Sequence, residues 1–244
     1  MDELIHRDTP SPNWNERKLP VSLVVLHYTG MESGQAALDR MCDAQAEVSA
    51  HYMIDEDGTV HRLVAEDKRA WHAGQSYWRG ITDINSASIG IELVNPGHEH
   101  GYRPFPEAQM EALIPLLAGI MARHNIDPAN VLGHSDIAPA RKEDPGELFE
   151  WEVLARYGLA LHTPKPRIRL LHENPGAFFL SLERFGYDIA DGHAAVRAFQ
   201  RRFRPRNIDG QLDGEVGALL FELLMMRDTN IDDGDDCGDD DFPW

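Results

Sequence analysis

Two histidines in this chain stand where an apolar run stops. Residues 21–26 form an apolar, β-branched stretch that reads as a buried strand and ends at His27; a shorter run, 131–133, ends at His134. Side chains at strand ends are held by a rigid element yet point into clefts, where chemistry collects. Two imidazoles and one carboxylate make a three-ligand zinc site whose fourth position is open to water, the pattern of catalytic rather than structural zinc. Two carboxylates are spaced to be the third ligand, Asp136 and Asp144. Spacing does not choose between them, and Asp136 equally suits a cap on the turn at 137–140. The chain has twelve histidines, and His6, His98, His100, His162, His172 and His193 read as surface or structural residues. His51, inside a strand pattern, reads as a hydrogen-bonded core or cleft histidine.

Glu92 lies in Ser88-Ile89-Gly90-Ile91-Glu92-Leu93-Val94. Side chains alternate along a strand, so Ser88, Gly90 and Glu92 share one face and the apolar residues the other. Two small residues beside a carboxylate leave room for a ligand above that face. A buried carboxylate is costly unless it is paired or near a metal, so Glu92 is either a salt-bridged structural acid or a working one. Lys142, taken alone, reads as a solvated lysine. Trp71-His72-Ala73-Gly74 joins an aromatic face to an imidazole, which suits either a sugar-lining loop or simple packing.

These side chains need elements to place them. Residues 49–54 and 59–64 flank Asp55-Glu56-Asp57-Gly58, a hairpin signal, and 88–94 is a further strand. Helices are predicted over 36–46, 106–125 and 150–157, the last stopping at Gly158. Pro106 suits a first helical turn. Pro115 sits inside the second helix at a cost of about 3 kcal/mol, which predicts a kink or a break. After 161 the pattern changes to a proline-containing stretch with little periodicity, followed by helical patterns at 177–185, 193–203 and 214–226, with Asp213 as a cap for the last. The expected organisation is an α/β (α+β) domain over 1–161, a linker over 162–176, a small three-helix domain over 177–228 and an acidic disordered tail over 229–244.

The net charge of −18, with acids crowded into 232–241, argues against nucleic acid and against an anionic membrane surface as partner. Two cysteines at opposite ends of the chain give no disulfide framework. No run approaches the roughly 18 apolar residues of a membrane span, and the first twenty residues lack a signal-peptide core. The expectation is a monomer in the cytoplasm without membrane insertion, with the periplasm or cell envelope as the alternative.

Six blocks occur in an order that resembles the family 2 N-acetylmuramoyl-L-alanine amidases: Val24-Val25-Leu26-His27-Tyr28-Thr29, Ser49-Ala50-His51-Tyr52, Trp71-His72-Ala73-Gly74, Ser88-Ile89-Gly90-Ile91-Glu92, Gly133-His134-Ser135-Asp136 and Arg141-Lys142-Glu143-Asp144-Pro145-Gly146. The resemblance covers roughly residues 20–160. It implies a mixed central sheet flanked by helices, the fold shared with peptidoglycan recognition proteins, and one zinc ion per chain. By position it makes His27, His134 and Asp144 the metal ligands, Glu92 the catalytic acid and Lys142 the lysine beside the metal. His51 falls on a position that is not a ligand, and Trp71 and His72 fall where substrate would be touched. The implied reaction is hydrolysis of the amide between the lactyl group of N-acetylmuramic acid and L-alanine, in peptidoglycan or muropeptides. Non-catalytic members of the wider fold usually lack a ligand, whereas all three positions are filled here. Phe185-Gly186-Tyr187, the block 194–203 and Asp209-Gly210-Gln211-Leu212-Asp213 resemble the three-helix peptidoglycan-binding domain that often follows such amidases.

Overall fold

The computed structural model describes residues 6–165 and 174–232, with side chains as far as 227. The expected linker falls partly outside the described residues, as does the expected acidic tail from 233 on; residues 229–232, expected in that tail, are helical instead. In chain order the elements are β1 (His6–Asp8), β2 (Trp14–Glu16), β3 (Leu23–Tyr28), α1 (Gly34–Cys42), β4 (Tyr52–Ile54), β5 (Val60–Arg62), β6 (Lys68–Ala70), α2 (Ile84–Ala87), β7 (Ser88–Leu93), α3 (Glu107–His124), β8 (Val131–Gly133), α4 (His134–Ile137), α5 (Trp151–Arg156), α6 (Pro175–Phe185), α7 (Gly192–Phe203) and α8 (Gly214–Asp232).

Six strands form one sheet in the order β1-β5-β4-β7-β3-β8, while β2 and β6 pair as a small antiparallel ribbon. Neighbours among β4, β7, β3 and β8 run parallel, and β5 returns antiparallel to β4 through the predicted hairpin, so the sheet is mixed. Parallel strands covered on both faces carry continuous apolar runs. That is why β3 reads Leu-Val-Val-Leu without alternation, and all four residues are buried.

One face of the sheet, with Val24, Leu26, Ile89, Ile91 and Leu93, packs on Met110, Leu113, Leu117 and Ile120 of α3. That helix is not broken at Pro115. The proline is on the exposed side, and so is Glu111, whose carbonyl loses its helical donor and can turn to water instead. Asn125 ends the helix in the left-handed region at φ +51°, a conformation asparagine tolerates better than most residues.

The opposite face is covered by three things. Ala37, Leu38 and Met41 of α1 pack against Met53 and Val94. The loop after β6 lays His72 over β7. The three C-terminal helices share an apolar cluster with Val25, Trp78, Leu132 and Ile137, to which they contribute Phe178, Leu182, Phe185, Phe199 and Leu220 among others. These helices form where their patterns predicted them. Asp191 caps α7 by accepting from the Ala194 amide, and Asp213 caps α8 by accepting from the amides of Glu215 and Val216. No helix among the described residues is long and apolar enough to cross a membrane.

The register decides what meets at the carboxyl edge of the sheet. His27 of β3 pairs with Glu92 of β7, and Leu26 pairs with Gly133 of β8, so His134 follows immediately on the other side. Parallel sheets commonly bind ligands just outside these strand ends.

Candidate active site

His27, His134 and Asp144 converge at that edge, each buried, with one donor atom apiece. The Nδ1 atoms of the two histidines are 2.9 Å apart, and each lies 3.0 Å from Asp144 Oδ2. The loops that bear His134 and Asp144 are tied by the Ser135 amide, which donates to the Asp144 carbonyl at 2.9 Å.

Hydrogen-bond accounting fixes how the rings face. His134 Nε2 lies 3.1 Å from the Ala73 carbonyl, which can only accept, so Nε2 carries the proton and a neutral ring turns a lone pair at Nδ1 into the cluster. A longer chain does the same for His27. Ser88 Oγ donates to the Ile84 carbonyl at 2.6 Å and therefore accepts from His72 Nε2, 3.3 Å away. His72 Nδ1 is then free to accept from His27 Nε2 at 3.0 Å, and the His27 lone pair also points inward. Two lone pairs and a carboxylate oxygen at this spacing repel one another unless a cation lies among them. Burial first, then the neighbouring His134, pushes the His27 pKa down to about 4, which keeps that ring neutral.

Glu92 stands beside this group. Its Oε2 is buried with no hydrogen-bond partner among the described residues. Burial, reinforced by the charge of Asp144 and opposed by Lys142, raises its pKa well above the ordinary carboxylate value. A carboxyl that gives up its proton less readily than an exposed acid suits general acid–base work. Glu92, Lys142 and the three converging side chains line one cleft of about 390 Å³, with Tyr28, His98 and Arg141 at its margin. Glu92 also lines an adjoining hollow of about 530 Å³ beneath α1, bordered by Met31, Arg40 and Met41.

The other predicted residues fall in different places. His72 lines the cleft but is buried, with its ring on Gly90: a Cβ added there would lie 2.5 Å from the imidazole. The room above the small residues of β7 is thus occupied by this ring and not by a ligand. Trp71 is half-buried, its indole donating to Asn15 of β2 at 3.0 Å, and it is not among the residues that line the cleft. His51 is fully buried and accepts from the Gly90 amide at 2.9 Å, as a core histidine does. Asp136 points away from the cleft; it accepts from the Gly133 amide, the Tyr187 hydroxyl and Arg202.

Sequence reasoning missed three contributors. His98, read as a surface residue, pairs with the Tyr28 hydroxyl at 2.9 Å and borders the cleft. Ser88 was seen only as small, although its place on the Glu92 face was a usable signal. The Ala73 carbonyl orients His134, and a backbone group leaves no trace in residue identity.

The sequence profile described as N-acetylmuramoyl-L-alanine amidase matches residues 17–147 of this chain. The amidase AmiD of Escherichia coli K12 is 37% identical over 238 residues, spanning 84% of this chain and 82% of that protein. Its structure, in complex with anhydro-N-acetylmuramic acid-L-Ala-D-γ-Glu-L-Lys as substrate, superposes with a TM-score of 0.77 at 34% identity, covering 87% of this chain and 92% of the other. AmpDh3 of Pseudomonas aeruginosa, in complex with an anhydromuramic pentapeptide, gives a TM-score of 0.78 at 32% identity over 85% of this chain and 92% of its own. A buried cluster suited to a cation, a buried and unpartnered carboxyl oxygen beside it and this breadth of likeness agree: the chain belongs to the N-acetylmuramoyl-L-alanine amidase family and is an enzyme of amide hydrolysis.

Proposed function

We propose that the chain is a zinc-dependent amidase that separates N-acetylmuramic acid from the L-alanine of its stem peptide, with His27, His134 and Asp144 as metal ligands. The observation that carries this reading is the inward-facing triangle of two imidazole lone pairs and a carboxylate oxygen, with the unpartnered Glu92 carboxyl next to it. The residues fit the ion. Zinc bonds of roughly 2.0–2.1 Å at tetrahedral angles separate ligand atoms by about 3.3 Å, close to the 2.9–3.0 Å found here. Two nitrogens and one oxygen are a common catalytic donor set and leave a position for water.

Zinc, when bound at such a site, lowers the pKa of a water molecule towards 7 and polarises a carbonyl oxygen. The chain's own groups do the rest. Glu92 takes a proton from the attacking water as its oxygen bonds to the lactyl carbonyl carbon. Lys142, on the same cleft wall, donates to the carbonyl oxygen as negative charge builds there. Glu92 then delivers the proton to the alanine nitrogen as the carbon–nitrogen bond breaks, so the amine leaves neutral. The His72–Ser88 chain keeps the His27 ring from rotating, which is how partners behind a metal ligand commonly act.

Both structural relatives were solved with anhydromuramyl peptides, which makes a soluble muropeptide the first substrate to test. The experiment measures peptide release from 1,6-anhydro-muropeptide and from intact sacculi, after chelation and again after zinc is restored. Zinc-restored cleavage is expected, and the faster substrate assigns the protein to fragment recycling or to wall trimming. Zinc binding without cleavage of either substrate would overturn the reading in favour of a recognition protein.

A further inference from the structure

Two adjacent arginines of α7 leave the helical unit and enter the loops that carry two of the three converging side chains. Arg202 places Nη1 2.6 Å from Asp136 Oδ2, donates through Nη2 to the Val131 carbonyl at 2.8 Å, and sets its guanidinium 3.9 Å from the centre of the Trp151 ring. Asp136 also accepts from the Gly133 amide at 2.8 Å and the Tyr187 hydroxyl at 2.5 Å. Gly133 and Asp136 bracket His134, so the turn that aims this ring is closed by groups from the helical unit. Arg201 places Nη2 2.9 Å from Glu143 Oε1 and Nε 3.6 Å from Glu147 Oε2. Glu143 lies between Lys142 and Asp144. Successive helical residues point about 100° apart, so one helix turn can serve both loops. Both guanidinium groups are nearly inaccessible, Arg201 at 5% and Arg202 at 6% exposure, and burying a charge is unfavourable unless it meets a partner.

We infer that Arg201 and Arg202 are positioning residues for the metal site: acting through Glu143 and Asp136, they hold Asp144, Lys142 and His134 against the mutual repulsion of the ligand atoms. The helical unit is then a frame for catalysis in addition to any contact it makes with cell-wall polymer. This inference rests on the reading of His27, His134 and Asp144 as zinc ligands. Arg204 provides the contrast. It is as buried as its neighbours, but its partners Asp209, Asp213 and Glu215 all belong to the helical unit.

The test uses the full chain as Arg201→Met, Arg202→Met, Arg202→Lys and Arg204→Met variants. Zinc affinity is measured by competition with a fluorescent chelator, next to kcat and KM on the soluble muropeptide and the melting temperature. Arg201→Met and Arg202→Met are expected to weaken zinc binding by about 10–100-fold, the usual effect of losing a group that orients a ligand. KM should stay within about twofold, and kcat should fall where zinc is limiting. Arg202→Lys should recover part of the loss, because one ammonium can still meet Asp136. Arg204→Met should lower the melting temperature and leave zinc affinity unchanged. Should Arg202→Met fail to fold, Arg201→Met decides, since Glu143 and Glu147 are partly exposed and can be met by water once the guanidinium is gone. Folded Arg201 and Arg202 variants with wild-type zinc affinity and kcat would overturn the inference alone. A wild-type chain that holds no zinc would overturn the metal reading and this inference with it.

Discussion

Asp136 and Asp144 flank the same turn, are buried to 1% and 5% exposure, and have opposite surroundings. Every partner of Asp136 is a protein donor: an amide, a hydroxyl and a guanidinium. Asp144 Oδ2 instead faces the Nδ1 lone pairs of two rings whose Nε2 protons are committed elsewhere, to a carbonyl and to another histidine. A buried carboxylate whose acceptor capacity is filled by the fold is a structural device. One held against other electron-rich atoms is a site that a cation completes. Glu92, with a buried and unpartnered oxygen, belongs with Asp144 in this contrast.

The contrast can be broken by substitution. Asp144→Asn is expected to abolish zinc binding and lower kcat by several orders of magnitude, because the water-activating ion is gone; metal content and single-turnover rates check this. Zinc held at full occupancy by the Asn protein would place the metal elsewhere. Glu92→Gln should keep its zinc and lose roughly 10²–10⁴ in kcat, the usual range for a general acid or base. A turnover near wild type would remove Glu92 from the proton pathway.

Asp136→Asn should behave differently from Asp144→Asn. It leaves Arg202 buried without its counter-charge, which typically costs about 3–5 kcal/mol of stability, while zinc remains bound at one per chain with weakened affinity. Denaturant unfolding together with metal analysis measures both quantities, and equal zinc loss in the two Asn variants would erase the distinction. Gly90→Ala is a milder probe. Its methyl group would meet the His72 ring, for an overpacking cost of roughly 1–3 kcal/mol, and should move the ring off His27 and reduce kcat with it.

The smallest effect concerns pH. The Glu92 carboxyl has its folded pKa raised above the ordinary 4.5. Between those two values the folded state binds more protons than the unfolded one, so this group lowers stability as pH rises from about 4.5. In chelator-treated protein, Glu92→Gln should therefore melt at a higher temperature than wild type, by a margin that widens with pH through that window. A constant margin would mean that the carboxyl is not strained by burial.

Much of this was legible beforehand, for local reasons. The β3 run, the hairpin around Gly58, the long α3 pattern and the three C-terminal helices with their Asp213 cap follow from periodicity and turn chemistry, which neighbouring residues set. Pro115 does not break α3, because the packing turns that side of the helix to solvent, which the position of a proline in the sequence does not record. His98 and Ser88 were passed over because their partners, Tyr28 and His72, are distant along the chain.

The sequence alone determined the chemistry available: strand-end histidines, a carboxylate on a face of small residues, and ordered blocks that resemble one amidase family. It also determined the elements that carry them, since backbone pattern and capping are short-range. Spacing left Asp136 and Asp144 open, and the family resemblance alone favoured Asp144; only the tertiary structure decided that Asp136 turns to Tyr187 and Arg202, that His72 fills the space above Gly90, and that Arg201 and Arg202 of α7 reach the loops of His134 and Asp144. These outcomes depend on strand register and on groups brought together from distant segments, and residue spacing carries no direct record of them.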